Sequence, residues 1–90
     1  MDFEFDIKKS GSNKTKHGLD FDEASLVWDD ENMVVLHSKH IGESRFLALG
    51  RIYNKIWTVV FTPRNGKIRI ISARQARDEE AAYYEKHKTG

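Results

Sequence analysis

Cysteine is absent from this chain of 90 residues. That removes disulfides, thiolate zinc sites and thiol nucleophiles together, and it fits a reducing compartment. Long apolar runs are absent too. The longest, Ile56 to Phe61, is interrupted by Thr58 and falls far short of the roughly 20 residues a membrane helix needs. The opening MDFEFDIKKS alternates charges with aromatics and cannot serve as the apolar region of a signal peptide. The expectation is a cytoplasmic protein that does not engage a membrane. There is no internal repeat, low-complexity tract or linker, so residues 1–90 read as a single domain. A domain of this size has one core and buries only roughly two-thirds of the surface its unfolded chain exposes.

A further absence is one sign of charge. Between Arg45 and Arg77 there is no Asp or Glu, while Arg45, Arg51, Lys55, Arg64, Lys67, Arg69, Arg74 and Arg77 are all basic. The flanks conceal this. Residues 20–43 hold one base and seven acids, and residues 78–90 two bases and four acids, which returns the chain to a net +1. A one-signed surface favours a polyanion, because each phosphate neutralised by Arg or Lys releases condensed counterions.

Patterning gives an α+β fold: two N-terminal helices, a four-stranded antiparallel sheet in meander order, and a C-terminal helix. The first helix spans Asp6 to His17, with Lys14, Lys16 and His17 at the end that favours cations and Gly18 as its stop. The second starts at Asp20, whose spacing to Glu23 gives a capping box. β-rich runs then follow at Met33–Ser38, Ser44–Gly50, Ile56–Thr62 and Lys67–Ser72. Pro63-Arg64-Asn65-Gly66 is the clearest hairpin turn, since Asn-Gly tolerates positive φ angles. Ser72 and Gln75 form a further capping signal, S-x-x-Q, which predicts that the last helix begins there and sets Arg74 and Arg77 in its first turns. Cations at a helix N-terminus are unfavourable alone, and a bound anion would relieve them.

Three stretches carry a resemblance. The N-terminal F-E-F-D with K-H-G-L-D-F-D-E-A (Phe3 to Ala24), G-E-S-R-F-L-A-L-G-R (Gly42 to Arg51) and K-I-R-I-I-S-A-R-Q-A (Lys67 to Ala76) resemble the BrnT toxins of bacterial type II toxin–antitoxin pairs. The resemblance spans nearly the whole chain. Phe5 stands where the family usually has Trp, and Asp78-Glu79-Glu80 where its last helix is often richer in arginine. The resemblance implies a RelE-like ribonuclease fold and translation arrest by RNA cleavage. It also implies neutralisation by a BrnA-like, ribbon-helix-helix antitoxin in a 2:2 complex, which contacts operator DNA through the antitoxin.

RNA cleavage without a metal needs a group to take the 2′-hydroxyl proton and cations to stabilise the phosphorane. Arg suits the second task, since its planar fork binds two phosphate oxygens and stays charged. The expected catalytic set is Arg69 and Arg74 as a clamp, Arg45 as a third cation, and Glu43 as base or orienter of an arginine. Arg51, Lys67, Arg77 and Phe46 are candidates for RNA binding, and His17 is a further candidate, although capping explains its position equally. His37 and His40 lack the carboxylate or cysteine framework of a metal site, so no metal and no cofactor is expected. The alternative is a non-catalytic nucleic-acid- or partner-binding module of the same fold.

Overall fold

The structure, a computed structural model, describes residues 1–38 and 44–88. Its elements are β1 (Phe3–Glu4), α1 (Ile7–His17), α2 (Phe21–Ala24), a 3-10 segment (Ser25–Asp29), β2 (Val34–Ser38), β3 (Arg45–Ile52), β4 (Lys55–Arg64), β5 (Lys67–Gln75) and α3 (Asp78–His87). The sheet runs β1-β5-β4-β3-β2. Strands β2 to β5 form the expected antiparallel meander, while β1 lies parallel to β5. Among the described residues the fold is therefore α+β with three α-helices, as expected, but its sheet is five-stranded and mixed instead of four antiparallel strands. Two residues are too few to show a strand's period-2 pattern, and the partner of β1 is remote: Glu4 pairs with Arg69.

Helix α1 is held by polar contacts. Asp6 caps it, accepting from the Lys8 and Lys9 N–H groups at 2.8 and 3.1 Å, and Gly18 closes it at φ 87°, a conformation that glycine adopts without steric cost. Its one large apolar residue, Ile7, is exposed, whereas Ser10 and Asn13 are buried. Asn13 Nδ2 donates to the carbonyls of Leu19 (2.7 Å) and Ala73 (2.8 Å), and Asn13 Oδ1 accepts from the Ala73 N–H at 3.2 Å. Ser10 Oγ accepts from the Phe21 N–H at 2.9 Å. Buried hydrogen bonds thus seat α1 on β5, which explains why no apolar stripe marks it in the sequence.

The Asp20–Glu23 capping box forms as expected. The helix then tightens into the 3-10 segment, which carries Val27 onto β3. Gly50 permits this approach, since a Cβ at that position would stand 2.8 Å from Val27 Cγ1. Leu19, Phe21, Ala24 and Val27 pack with Ala48, Val59, Phe61 and Ile70 into one core on this face of the sheet. Burial of side chains of Val, Leu or Phe size contributes roughly 1.5–3 kcal/mol each, so this face supplies the apolar driving force.

The opposite face holds Arg45, Leu47, Leu49 and Arg51 of β3, with Thr58 and Val60 of β4 level with Leu49 and Leu47. Helix α3 covers one end only. There Thr58 Oγ1 donates to Glu80 (3.0 Å), Arg51 pairs with Glu85 (2.8 Å) and the Tyr84 hydroxyl donates to Asp30 (2.6 Å). Around Leu47, Val60 and Thr62 the face is only half-buried.

The last helix begins later than the S-x-x-Q signal predicts. Ser72, Ala73, Arg74 and Gln75 stay in β5, paired with Val60, Val59, Thr58 and Trp57, and Arg77 is the N-cap of α3. Cross-strand bonding to the long β4 outweighs a local capping preference. Arg74 therefore does not sit at a helix N-terminus. Asp78, Glu79 and Glu80 occupy the first turn instead, the signs that the helix dipole favours.

Candidate active site

In a regular strand Arg69 and Arg74, five residues apart, would point to opposite faces. The β4–β5 ladder avoids this. Thr62 pairs with Arg69 and Phe61 with Ile70, but Val60 pairs with Ser72, so Ile71 is an extra residue in β5. This β-bulge inverts the alternation beyond it. Arg69, Ser72 and Arg74 consequently share the face of Thr62, Val60 and Thr58, away from the main core.

On that face a row of side chains crosses the sheet. Ser38 pairs with Arg45, the Phe46–Phe61 pairing sets Arg45 level with Thr62, Thr62 pairs with Arg69, and Arg69 with Glu4. Strand spacing places the backbones of Arg45 and Arg69 about 10 Å apart, a gap that two arginine stems can close on one phosphate. Thr62 lies between them, its hydroxyl donating to the Ser44 carbonyl at 2.7 Å. The row opens into a cavity of about 360 Å³ lined by Lys9, Arg45, Thr62, Pro63, Arg64, Arg69 and Ile71. Among the described residues no ion pair involves Lys9, Arg64 or Lys67.

The two arginines of the expected clamp differ in what they have left to donate. Arg74 directs Nη1 to Glu80 Oε1 (2.6 Å) and Nη2 to Oε2 (2.9 Å), so its fork is committed to a carboxylate. Glu80 also accepts from Thr58 Oγ1 and from the Arg77 N–H at 2.9 Å. Burial would raise the Glu80 carboxyl, but the bonds from Arg74, Arg77 N–H and Thr58 outweigh it and hold the group at about 2. Arg69, by contrast, makes one side-chain hydrogen bond among the described residues, from Nη1 to Glu4 Oε2 at 2.8 Å. Its remaining N–H donors stay available at the cavity wall.

The other expected residues disperse. Arg51 pairs with Glu85 and stands over the Tyr84 ring, about 20 Å along β3 from Arg45, and Arg77 caps α3 beside it. Asp30 is at this same end, accepting from the Arg51 N–H and the Tyr84 hydroxyl. Burial there would raise its carboxyl, but these bonds and one from the Asn32 N–H hold it below its ordinary value. Lys67 faces Arg64 across the hairpin. Phe46 lies on the core face, stacked on Phe61 and against His37, away from the row. His17 ends α1, about 12 Å of helix beyond Lys9. Glu43 and His40 lie outside the described residues. Lys9 and Thr62 enter from outside the expected set, as does Arg64, counted in the basic block but given no role. Glu4 was legible only through the alternation of Phe3-Glu4-Phe5. A larger cavity, about 740 Å³, is lined by Phe3, Phe5, Ile7, Asp20 and Asp22 among others. Its wall carries Glu4, Asp20 and Asp22 against Lys14 alone, a balance that suits a phosphate poorly.

A family model described as ribonuclease toxin, BrnT, of type II toxin-antitoxin system matches residues 5–80, most of the chain. No curated protein matches it.

Proposed function

Because the chain belongs to the BrnT family of ribonuclease toxins of type II toxin–antitoxin systems, we propose that it cleaves RNA internally, without a metal ion, in the cavity between Arg45 and Arg69. The observation that carries this reading is the cross-sheet row, which sets two arginines about 10 Å apart over an open basic cavity. A phosphate held between them would have its growing negative charge met by cations as the 2′-hydroxyl attacks. Glu43, two residues before Arg45, is the proposed base or the orienter of Arg45. Arg64, Lys67 and Lys9 extend the basic surface along which the flanking backbone would lie, whereas Arg51 and Arg77 stand away from it, at the α3 end of the sheet. Arg74 enters as the holder of Glu80 and α3. Phe46 supports the row from beneath, and His17 stands in the last turn of α1.

The family implies an antitoxin partner and an RNA substrate. We further propose a RelE-like mode of translation arrest in the cytoplasm and a ribbon-helix-helix antitoxin of the BrnA kind. Assembly would be 2:2, with operator DNA bound through the antitoxin.

The test is mapping of RNA 5′ ends in bacteria after brief induction. Wild type should generate new internal ends, while Arg45→Ala and Arg69→Ala should reduce them on the order of 10²-fold at equal protein level and unchanged urea midpoint. Undiminished ends with Arg69→Ala would sink the clamp.

A further inference from the structure

On the reading of Arg69 as a phosphate ligand, we infer that Glu4 is a positioning residue of the same site. It fixes the Arg69 guanidinium through one nitrogen and leaves the rest of the fork turned to the cavity. Glu4 precedes the residues that the family model matches.

The geometry begins with β1. Its parallel pairing sets Glu4 beside Arg69 on the same face, and the two side chains meet at 2.8 Å, each about 30% exposed (29% and 30%). An arginine side chain carries about 2 kcal/mol of rotamer entropy, so a guanidinium without a tether would spend much of its time out of position. A single charge-assisted bond from a neighbouring strand restricts it. Because Glu80 takes both terminal nitrogens of Arg74 while Glu4 takes one of Arg69, the first pair is closed to a ligand and the second is open.

Anchoring of β1 does not require this pair. The Ile68 N–H donates to the Asp2 carbonyl at 2.9 Å, Phe3 packs edge-on against Trp28 at 5.1 Å, and Phe5 against Phe21 at 5.6 Å. A single ion pair still partly open to solvent adds about 1 kcal/mol to that. Its consequence therefore lies in where the Arg69 fork points.

The experiment is steady-state cleavage, by purified toxin, of an RNA oligonucleotide spanning a site mapped in cells. It compares wild type with Glu4→Ala, Glu4→Gln, Arg69→Ala and the double variant Glu4→Ala/Arg69→Ala. Glu4→Ala should lower kcat on the order of 10-fold with a smaller change in KM. Glu4→Gln should recover most of kcat, because its amide oxygen accepts the same bond. In the Arg69→Ala background, Glu4→Ala should have no further effect. An unchanged kcat in Glu4→Ala, with activity lost in Arg69→Ala, overturns the inference and leaves the clamp standing. So does tighter RNA binding by Glu4→Ala without loss of rate, which would make Glu4 a competitor for Arg69. An equal loss in both backgrounds also overturns it, since Glu4 would then act elsewhere. Full activity in Arg69→Ala removes the underlying reading, and the inference with it, whatever Glu4→Ala does.

Discussion

Glu80→Gln isolates the charge that pins α3 to the sheet. In the wild type one buried carboxylate accepts four hydrogen bonds, two from Arg74 and one each from Thr58 and the Arg77 N–H. A carboxyl held at about 2 against its ordinary 4.5 represents about 3 kcal/mol of stabilisation at neutral pH. Because the folded-state value is the lower one, that contribution is fully present above about pH 4.5. It is lost as the pH falls towards about 2. The glutamine keeps the shape but not the charge, and turns an amide N–H₂ towards Arg74. Urea unfolding followed by Trp28 and Trp57 fluorescence should show Glu80→Gln less stable by about 3 kcal/mol at pH 7. The difference should shrink as Glu80 becomes protonated, to roughly half by pH 3 and towards zero only near about 2, while Asp30, Glu23 and Glu85, all lowered in the fold, titrate alike in both proteins and cancel from it. A difference below about 1 kcal/mol at pH 7, or one that persists undiminished at pH 3, would refute the assignment of Glu80 as a buried ionised anchor.

Two further outcomes test how the fold is held. Asn13→Ala removes three buried bonds that seat α1 on β5 and leaves the Leu19 and Ala73 backbone groups unsatisfied, so the urea midpoint should fall by the equivalent of about 2–4 kcal/mol. The glycines should respond with opposite signs. Gly50→Ala meets Val27 at 2.8 Å and should cost about 1–3 kcal/mol, whereas Gly11→Ala, with nothing within 4 Å of its Cβ, should stabilise α1 by about 0.5–1 kcal/mol in thermal denaturation.

The elements legible in the sequence were those whose signals are local. The Asp20–Glu23 box and the Gly18 stop depend on residues within one or two turns, and the Asn65-Gly66 hairpin on two φ angles, 53° and 77°. Ser72–Gln75 also carried a local signal, but there β4 offered a ladder partner for every residue, and the ladder prevailed. α1 was visible by its caps and not by its docking face, since Ser10 and Asn13 resemble surface residues until Phe21 and Ala73 are brought against them.

The site was legible to a different depth. The absence of acids from Arg45 to Arg77 gave the expectation of a polyanion partner, but it ranks all the arginines alike. Two long-range facts separate them. The bulge at Ile71, marked by neither glycine nor proline, turns Arg69 and Arg74 to one face. The acids outside the basic block then decide which of the two remains open. Glu80, six residues from Arg74, closes that fork through two nitrogens, while Glu4, 65 residues from Arg69, engages only one. A charge count sums both pairs to zero, yet in the fold one arginine supports a helix and the other faces a cavity. On the proposed reading, availability for phosphate is set by the number of donors each acid leaves unspent, a quantity that depends on register and not on composition.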